Sequence, residues 1–266
     1  MDNKILDGSD LFFGQESDIE FLEEEHRYIY KTGEDFMPVS HLYHLFFEEF
    51  DKEATAKRVA ERQGRCVEEI LEEWDAKRNE AAEIGKFMHS QIEHDLKSEN
   101  YSLTIHFNYN GRFIQKDMDV DISREIGYYK NFRQQLSSRP FRAEWCVCDP
   151  RHKVAGTIDL LCRRDDGSFD MYDWKRSPKI DPSATAFKRG INGLQHLNDC
   201  QYIHYSLQQN LYRYMLETYY GIRVNSMHLV VLHPEKQNFI MIPIKRMDRE
   251  VKIMLECKDN IVGRKN

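Results

Sequence analysis

The sequence predicts an α/β protein in which helices flank a mixed sheet. Apolar residues recur at helical spacing from about residue 67 to residue 96. Two short apolar runs, 154–162 and 169–174, flank a charged turn and have the composition of two paired strands. A further helical stretch, 201–220, ends at Gly221, and two more apolar runs follow it. Strands and helices that alternate in this way are typical of α/β folds.

The composition is that of a globular protein. The 266 residues are 41% hydrophobic and 31% charged, and the formal net charge is −7. A protein that coats nucleic acid through bulk positive charge would be basic, so the sequence excludes this class. No apolar run approaches the roughly 20 residues that span a bilayer, and the N-terminus lacks the pattern of a signal peptide. We therefore expect a cytoplasmic protein that makes no use of a membrane.

The six cysteines do not form a metal-binding pattern. Only Cys146 and Cys148 are close in sequence, and on a strand both would lie on one face. The sequence contains no CxxC pair, which argues against a zinc ribbon. Reduced, partly buried thiols are the expectation for such a chain.

The remaining elements can be predicted in chain order. A small hairpin is expected from His26 to Met37, followed by a helix over 41–50 with Ser40 as its N-cap. The long helix has Gly85 in its second half, and an interruption there stays open. The other expected elements are a helix over 52–63 ended by Gly64, a loop over 98–121 with a short strand at 104–108, a helix from Ser123 to about Ser137 stopped by Pro140, strands at 143–148, 228–233 and 239–244, and a helix over 248–262.

Two aspartates lie among apolar residues in the predicted central hairpin. Because side chains alternate along a strand, Asp173 and Lys175 point to one side and Trp174 points away. If the two runs pair, Asp159 joins them, and two carboxylates converge with one ammonium. Neighbouring carboxylates repel unless a cation joins them, and their hard oxygen atoms suit Mg²⁺ or Mn²⁺. The alternative is that both aspartates lie in water at strand ends or pair with arginines.

Several motifs resemble one enzyme family. GTID followed by Asp173-Trp174-Lys175 after thirteen residues resembles the D…(D/E)xK signature of the PD-(D/E)xK nuclease superfamily. Residues 85–93, GKFMHSQIE, resemble the helix that carries a metal-binding histidine in its RecB-type exonuclease branch. Residues 208–212, QQNLY, are similar to the QxxxY helix of that branch. The N-terminal hairpin and helix loosely resemble those of phage exonucleases and the mitochondrial genome maintenance exonuclease.

The resemblance implies a fold and a metal site. The fold would be a restriction-endonuclease-like core with a mixed central sheet over 101–266. An N-terminal hairpin and helical lobe over 1–100 would end in the histidine-bearing helix and form one compact unit with the core. One or two Mg²⁺ or Mn²⁺ ions would be held by four groups: His89, Asp159, Asp173 and the backbone carbonyl of Trp174. Some relatives carry an iron–sulfur cluster on a late cysteine trio that this sequence lacks, so no such cluster is expected.

The resemblance also implies roles for other residues. Lys175 would orient or help to deprotonate the attacking water, and Lys175→Arg would damage activity nearly as much as Lys175→Ala. Glu144, Gln208 and Tyr212 would face the active site, although Glu144 could equally be exposed and Tyr212 could belong to a core-facing stripe. Glu93 lies one turn after His89 and could bind metal, hydrogen-bond the histidine or be solvated.

Basic residues follow the central hairpin in a segment of irregular composition. They could form a solvated face or guide a phosphate backbone. These basic residues are Arg176, Lys179, Lys188 and Arg189. The segment is also a candidate for a mobile loop that orders around a DNA strand.

We therefore expect a divalent-metal-dependent DNA exonuclease that hydrolyses phosphodiester bonds at single-stranded or duplex ends, with single-stranded ends as the main substrate. Two alternatives stay open: an endonuclease of the same superfamily, and a catalytically silent nucleic-acid-binding module on the same fold. A recombination or replication protein is the kind of protein partner that the resemblance suggests.

Overall fold

The structure, a computed structural model, describes residues 12–13, 18–23, 25 and 27–265. The chain divides into two units. Their chain segments are Met1–Glu48, Gln134–Val231 and Ile240–Asn266 for the first unit, and Glu49–Arg133 and Leu232–Phe239 for the second. The division differs from the expected boundary near residue 100, because the N-terminal strands fold with the predicted core rather than with the long helix. In the described residues, no helix is both long enough and apolar enough to cross a membrane.

The strands and helices are numbered in chain order. The strands are β1 (Phe12–Phe13), β2 (Ile19–Leu22), β3 (Arg27–Tyr30), β4 (Asp35–Pro38), β5 (Thr104–Asn110), β6 (Gln115–Asp121), β7 (Arg139–Asp149), β8 (Val154–Arg163), β9 (Phe169–Lys175), β10 (Val224–Val231) and β11 (Ile240–Pro243). The helices are α1 (Val39–His44), α2 (Lys52–Gln63), α3 (Val67–Leu96), α4 (Ser123–Gln135), α5 (Gln201–Tyr219) and α6 (Asp248–Lys265).

Within the described residues, nine strands of the first unit form a mixed sheet, which confirms the predicted α/β class. Strand β8 is paired with other strands along both of its edges. On one edge β7 runs antiparallel to it from Val154 to Arg163. On the other edge β4 pairs with its first two residues and β9 with its last four. The ladder with β9 ends at Leu160 and Tyr172, so the two strands diverge beyond that pair.

Helices α1, α5 and α6 share one hydrophobic core with the sheet. The apolar residues of α5 recur at spacings of three and four, so one face of the helix is buried. Leu207 and Leu211 on that face are fully buried in the same core as Ile158 of β8. Burial of a leucine side chain contributes roughly 1.5–3 kcal/mol, so this packing fixes α5 against the strand that carries Asp159.

The second unit contains α2, α3, the β5–β6 hairpin and most of α4. Small and apolar side chains of α2 and α3 pack together, among them Ala56, Ala60 and Ile70. The Glu72 carboxylate of α3 accepts hydrogen bonds from the backbone N–H groups of Phe113 and Ile114 at 2.8 and 2.7 Å, which fixes the hairpin turn on that helix.

Most predicted elements are confirmed, with differences at particular residues. Helix α2 has the expected bounds, and Gly64 ends it in the left-handed conformation with φ of 66°. The N-terminal hairpin forms as β3 and β4, although His26 lies outside the described residues. Helix α1 is shorter than expected: Pro38 occupies the N-cap position instead of Ser40, and bonds from Leu45 to Leu42 and from Phe46 to Tyr43 close its end.

The structure answers one open question and corrects two predictions. Helix α3 continues through Gly85, because burial of Ile84 and Met88 on either side outweighs the low helix propensity of one glycine. Strand β6 was predicted as loop, because its sequence QKDMDVD is almost entirely polar and lacks an apolar alternation. Pro140 does not precede the strand but lies inside β7, next to a shift in its register with β8.

Candidate active site

The site lies where β8 and β9 diverge. Beyond the last ladder pair, the backbone N–H of Trp174 donates to Asp159 Oδ2 at 2.8 Å. A side-chain carboxylate therefore takes the place of a backbone carbonyl as partner of the strand. Asp159 is 8% exposed, so this residue is buried at the edge of the gap. The Trp174 indole is buried, as the predicted alternation requires.

Glu144 of β7 faces Asp159 across the other edge of β8. The ladder partners on either side of Glu144 place it opposite Asp159. A carboxylate oxygen of each lies within 4.8 Å of the other. Glu144 has φ of 44°, in the left-handed region that residues with a side chain rarely adopt. Such a conformation costs on the order of 1–3 kcal/mol and is found most often where the position of a side chain serves a function.

Asp173 and Lys175 lie on the same side of β9, as the alternation predicts. The Lys175 Nζ atom is 2.6 Å from Asp173 Oδ2. The other oxygen, Asp173 Oδ1, accepts a hydrogen bond of 2.9 Å from the side-chain amide of Gln209. Asp173 is 2% exposed and Gln209 is 1% exposed, so this contact is buried. The ion pair on one oxygen and the hydrogen bond on the other hold the carboxylate in one orientation.

Two tyrosines, Tyr205 and Tyr43, interact with the Lys175 ammonium. Its Nζ atom lies 4.5 Å from the centre of the Tyr205 ring, a favourable cation–π distance. Burial by itself would lower the pKa of Lys175, but the charges of Asp173 and Asp159 and the neighbouring Tyr205 raise it above its usual range. Burial raises the pKa of Tyr43 to about 12, while the nearby charge of Lys175 acts in the opposite direction. Lys175 is therefore a fixed cation beside the two aspartates.

Gln208 and Tyr212, the pair identified from the QxxxY motif, contact each other. The side-chain amide of Gln208 donates to the Tyr212 hydroxyl at 3.0 Å. The Tyr212 ring lies directly on Gly156 in the GTID strand, where an added Cβ would be 2.4 Å from a ring carbon. Burial raises the pKa of Tyr212 well above its usual range, so the hydroxyl stays neutral. This pair packs α5 onto β8.

Sequence reasoning missed Gln209 and Tyr205. Adjacent residues on a helix point about 100° apart, so a choice between Gln208 and Gln209 needs the rotation of the helix against the sheet. The spacing of Tyr205 and Gln209 at i and i+4 was a usable signal, because such residues share one helix face.

The predicted histidine lies in the second unit. His89 is half-buried in the last three turns of α3. Glu93 on the same helix forms an ion pair of 2.7 Å with Lys97, which favours the interpretation of Glu93 as a surface residue of the helix.

The predicted basic residues lie in the segment that joins β9 to α5. Arg176 is half-buried, and Lys179, Lys188 and Arg189 are exposed. Lys188 lies 3.6 Å from Glu48 in an exposed ion pair, which adds little stability. The backbone beyond it is fixed to the end of α1, because the N–H of Ile191 donates to the Phe46 carbonyl at 2.7 Å. This part of the segment is thus more ordered than its composition suggested.

The donor set is suited to a hard divalent cation. Two oxygen atoms that bind one Mg²⁺ at about 2.1 Å lie no more than about 4.2 Å apart. The oxygen atoms of Glu144 and Asp159, within 4.8 Å of each other, could meet this limit after a small side-chain movement. The carboxylate of Asp173 and the backbone of Trp174 lie on the adjoining strand. Oxygen ligands of this type select Mg²⁺ or Mn²⁺ over softer metals.

The chain matches no protein-family model and no curated protein. Among solved structures, one titled "Crystal structure of SSO0001" is similar over 86% of this chain and 76% of that chain. The sequence identity is 13% and the TM-score is 0.35. A similarity this low carries no argument about fold or function, so the site is interpreted from its own geometry.

Proposed function

We propose that the protein is a divalent-metal-dependent DNA exonuclease that hydrolyses phosphodiester bonds. The observation that carries the proposal is that Glu144 and Asp159 face each other on β7 and β8, while Asp173 and the Lys175 ammonium lie together on β9, along the other edge of β8. Three acidic residues and one fixed cation are a combination that phosphoryl transfer uses and that a purely structural sheet does not require. On this proposal, the mixed sheet with α5 is a restriction-endonuclease-like core of the PD-(D/E)xK type.

The proposed metal ligands are the carboxylates of Asp159, Asp173 and Glu144 and the backbone carbonyl of Trp174. The resemblance also implies His89 as a nitrogen ligand, and a nitrogen ligand would shift the metal preference towards Mn²⁺. When bound, one or two such ions would stabilise the charge that develops on phosphate oxygens and lower the pKa of a water molecule. The hydrogen bonds of Trp174 to Asp159 and of Gln209 to Asp173 support the ligands, because partners of ligands fix their orientation.

The residues of the chain account for the remaining needs of the reaction. Water attacks phosphorus, one P–O ester bond breaks, and the leaving oxygen takes up a proton, which leaves a phosphomonoester and a hydroxyl group. Lys175 can donate hydrogen bonds to the water or to a phosphate oxygen while Tyr205 restricts its position. The basic residues Arg176, Lys179, Lys188 and Arg189 would bind phosphates of the strand outside the reacting bond.

End-dependent cutting can be tested directly. Linear single-stranded DNA with an end label and a closed single-stranded circle of the same sequence are incubated with the protein and Mn²⁺. The proposal expects loss of the linear strand from its end, no cutting of the circle, and no activity with a chelator or in Asp173→Asn. Equal rates on both forms would replace the exonuclease proposal with an endonuclease of the same superfamily.

The second alternative, a silent nucleic-acid-binding module, makes a different prediction. It expects DNA binding with no turnover in Mg²⁺ or Mn²⁺. The intact set of Asp159, Asp173 and Lys175 favours the enzyme, because a module that only binds has no need for a partly buried lysine beside two buried acidic residues. DNA ends are the proposed partner, and a recombination or replication protein is the proposed protein partner.

A further inference from the structure

One aromatic side chain in the segment between β9 and α5 is fully exposed. Phe187 has a relative exposure of 110%, whereas the next most exposed large apolar side chain among the described residues, Phe50, has 64%. A phenylalanine ring in water adds nothing to the free energy of unfolding, because its apolar surface is not buried.

The backbone on both sides of Phe187 is held by hydrogen bonds. The side-chain amide of Asn198 donates to the Ala184 carbonyl at 3.1 Å. The N–H of Asp199 donates to the Lys188 carbonyl at 3.0 Å. The backbone that carries the ring is therefore held in place. Binding of a ligand to the ring costs less conformational entropy than it would if this segment were a free loop.

The sequence around the ring is basic, although the whole chain is acidic, and Lys188 is also 3.6 Å from Glu48. Residues 175–190 contain five basic side chains and one acidic side chain, Asp181, in a chain of formal net charge −7. Lys188 and Arg189 directly follow the ring and are exposed. An aromatic ring beside cationic side chains is complementary to an unpaired base and its phosphates.

The segment is connected to the candidate active site at both ends. It begins directly after Lys175 and leads into α5, which carries Tyr205 and Gln209. Near its end, the Asp199 carboxylate is 2.9 Å from Nε2 of His204, the residue before Tyr205. A strand bound along the segment would thus follow a part of the chain that starts and ends at residues of the site.

We infer that Phe187 stacks on an unpaired base of the DNA strand that enters the site, while Lys188 and Arg189 bind the adjacent phosphates. The inference rests on the proposed function and adds to it the recognition of single-stranded DNA. Every base has an aromatic face, so a stacking contact of this kind accepts any sequence. It requires a base that is not paired and stacked in a duplex, which accounts for a preference for single-stranded ends.

The test compares a normal strand with one that has no bases. Binding of a labelled oligothymidylate and of an abasic strand with the same number of phosphates is measured by fluorescence anisotropy. The full chain carries Asp173→Asn in every sample, so that the strands stay intact. Phe187→Ala and Phe187→Trp are the variants, and Phe50→Ala is the control because Phe50 is also exposed but has acidic neighbours, Glu49 and Asp51.

Stacking predicts that Phe187→Ala weakens binding of oligothymidylate by about tenfold. It also predicts unchanged binding of the abasic strand, retained binding in Phe187→Trp and no effect of Phe50→Ala. Unchanged binding of oligothymidylate in Phe187→Ala would overturn the inference, and so would an equal loss for both strands. Because binding is measured without turnover, these outcomes are separate from the nuclease assay, whose failure would remove the proposed activity alone.

Discussion

Two neighbouring rows of side chains on α5 make different kinds of contact with the sheet. Tyr205 and Gln209 are one helical turn apart and contact the charged pair of β9: the ring faces the Lys175 ammonium, and the amide donates to the Asp173 carboxylate. This row touches the groups to which we assign the chemistry.

The adjacent row contains Gln208 and Tyr212, also one turn apart. Its two members hydrogen-bond to each other, and the Tyr212 ring packs on the bare backbone of Gly156 in β8. This row sets the distance between helix and sheet. The residues that match a recognisable motif thus position α5, whereas their neighbours in sequence contact Asp173 and Lys175.

The largest expected effect lies at the carboxylate that the first row supports. Asp173→Asn should lower the rate of DNA hydrolysis by about a thousandfold or more, because it removes a proposed metal ligand and the charge that pairs with Lys175. The side chain keeps nearly the same volume, but Lys175 loses its nearest negative partner, so the melting temperature should fall and turnover is measured well below it. Measured turnover within tenfold of the unchanged protein would contradict the assignment of Asp173.

The next effect lies at Lys175. Its Nζ atom fits between Asp173 and the Tyr205 ring, and the side chain is 16% exposed. A guanidinium group is larger and planar, so Lys175→Arg should lower turnover by about a hundredfold, close to the loss in Lys175→Ala. Single-turnover rates at saturating Mn²⁺ would measure both. Activity retained in the arginine variant but lost in the alanine variant would mean that only the positive charge matters.

The two glutamines provide the sharpest test of the comparison. Gln209→Ala should lower activity by about 10- to 100-fold and raise the Mn²⁺ concentration needed for half-maximal rate, since it removes a partner of a ligand. Gln208→Ala should leave this concentration unchanged and lower the free energy of unfolding by about 1 kcal/mol, through loss of its bond to Tyr212. The reverse pattern would assign the positioning role to the motif glutamine.

Much of this arrangement follows from the sequence because it depends on local periodicity. Period-two alternation is enough to place Asp173 and Lys175 on one side of β9. The spacing of apolar residues likewise predicts α5 and its buried face. Both patterns are visible without knowledge of the rest of the chain.

Other features depend on the packing of distant elements and have no local signal. The rotation of α5 decides that Gln209 rather than Gln208 reaches Asp173, and a change of 100° would exchange them. The positive φ of Glu144 follows from how β7 fits against β8, since glutamate itself disfavours that conformation. Strand β6 forms from polar residues whose partner strand could not be identified from composition alone.

The smallest expected effect on catalysis comes from the row that contains Gln208 and Tyr212. In Gly156→Ala the new methyl group would lie 2.4 Å from a carbon of the Tyr212 ring, so the ring or the helix must move. Overpacking of this kind lowers the free energy of unfolding by about 1–3 kcal/mol, which thermal or urea denaturation would measure. Turnover well below the melting temperature should stay close to normal, because the contacts of Tyr205 and Gln209 lie on the other row. Adding Tyr212→Phe to Gly156→Ala should not restore the lost stability, because the clash involves ring carbons that phenylalanine keeps. Adding Tyr212→Leu instead should restore part of it. A large loss of turnover in Gly156→Ala with unchanged stability would show that the two rows act as one unit and that the distinction between them fails.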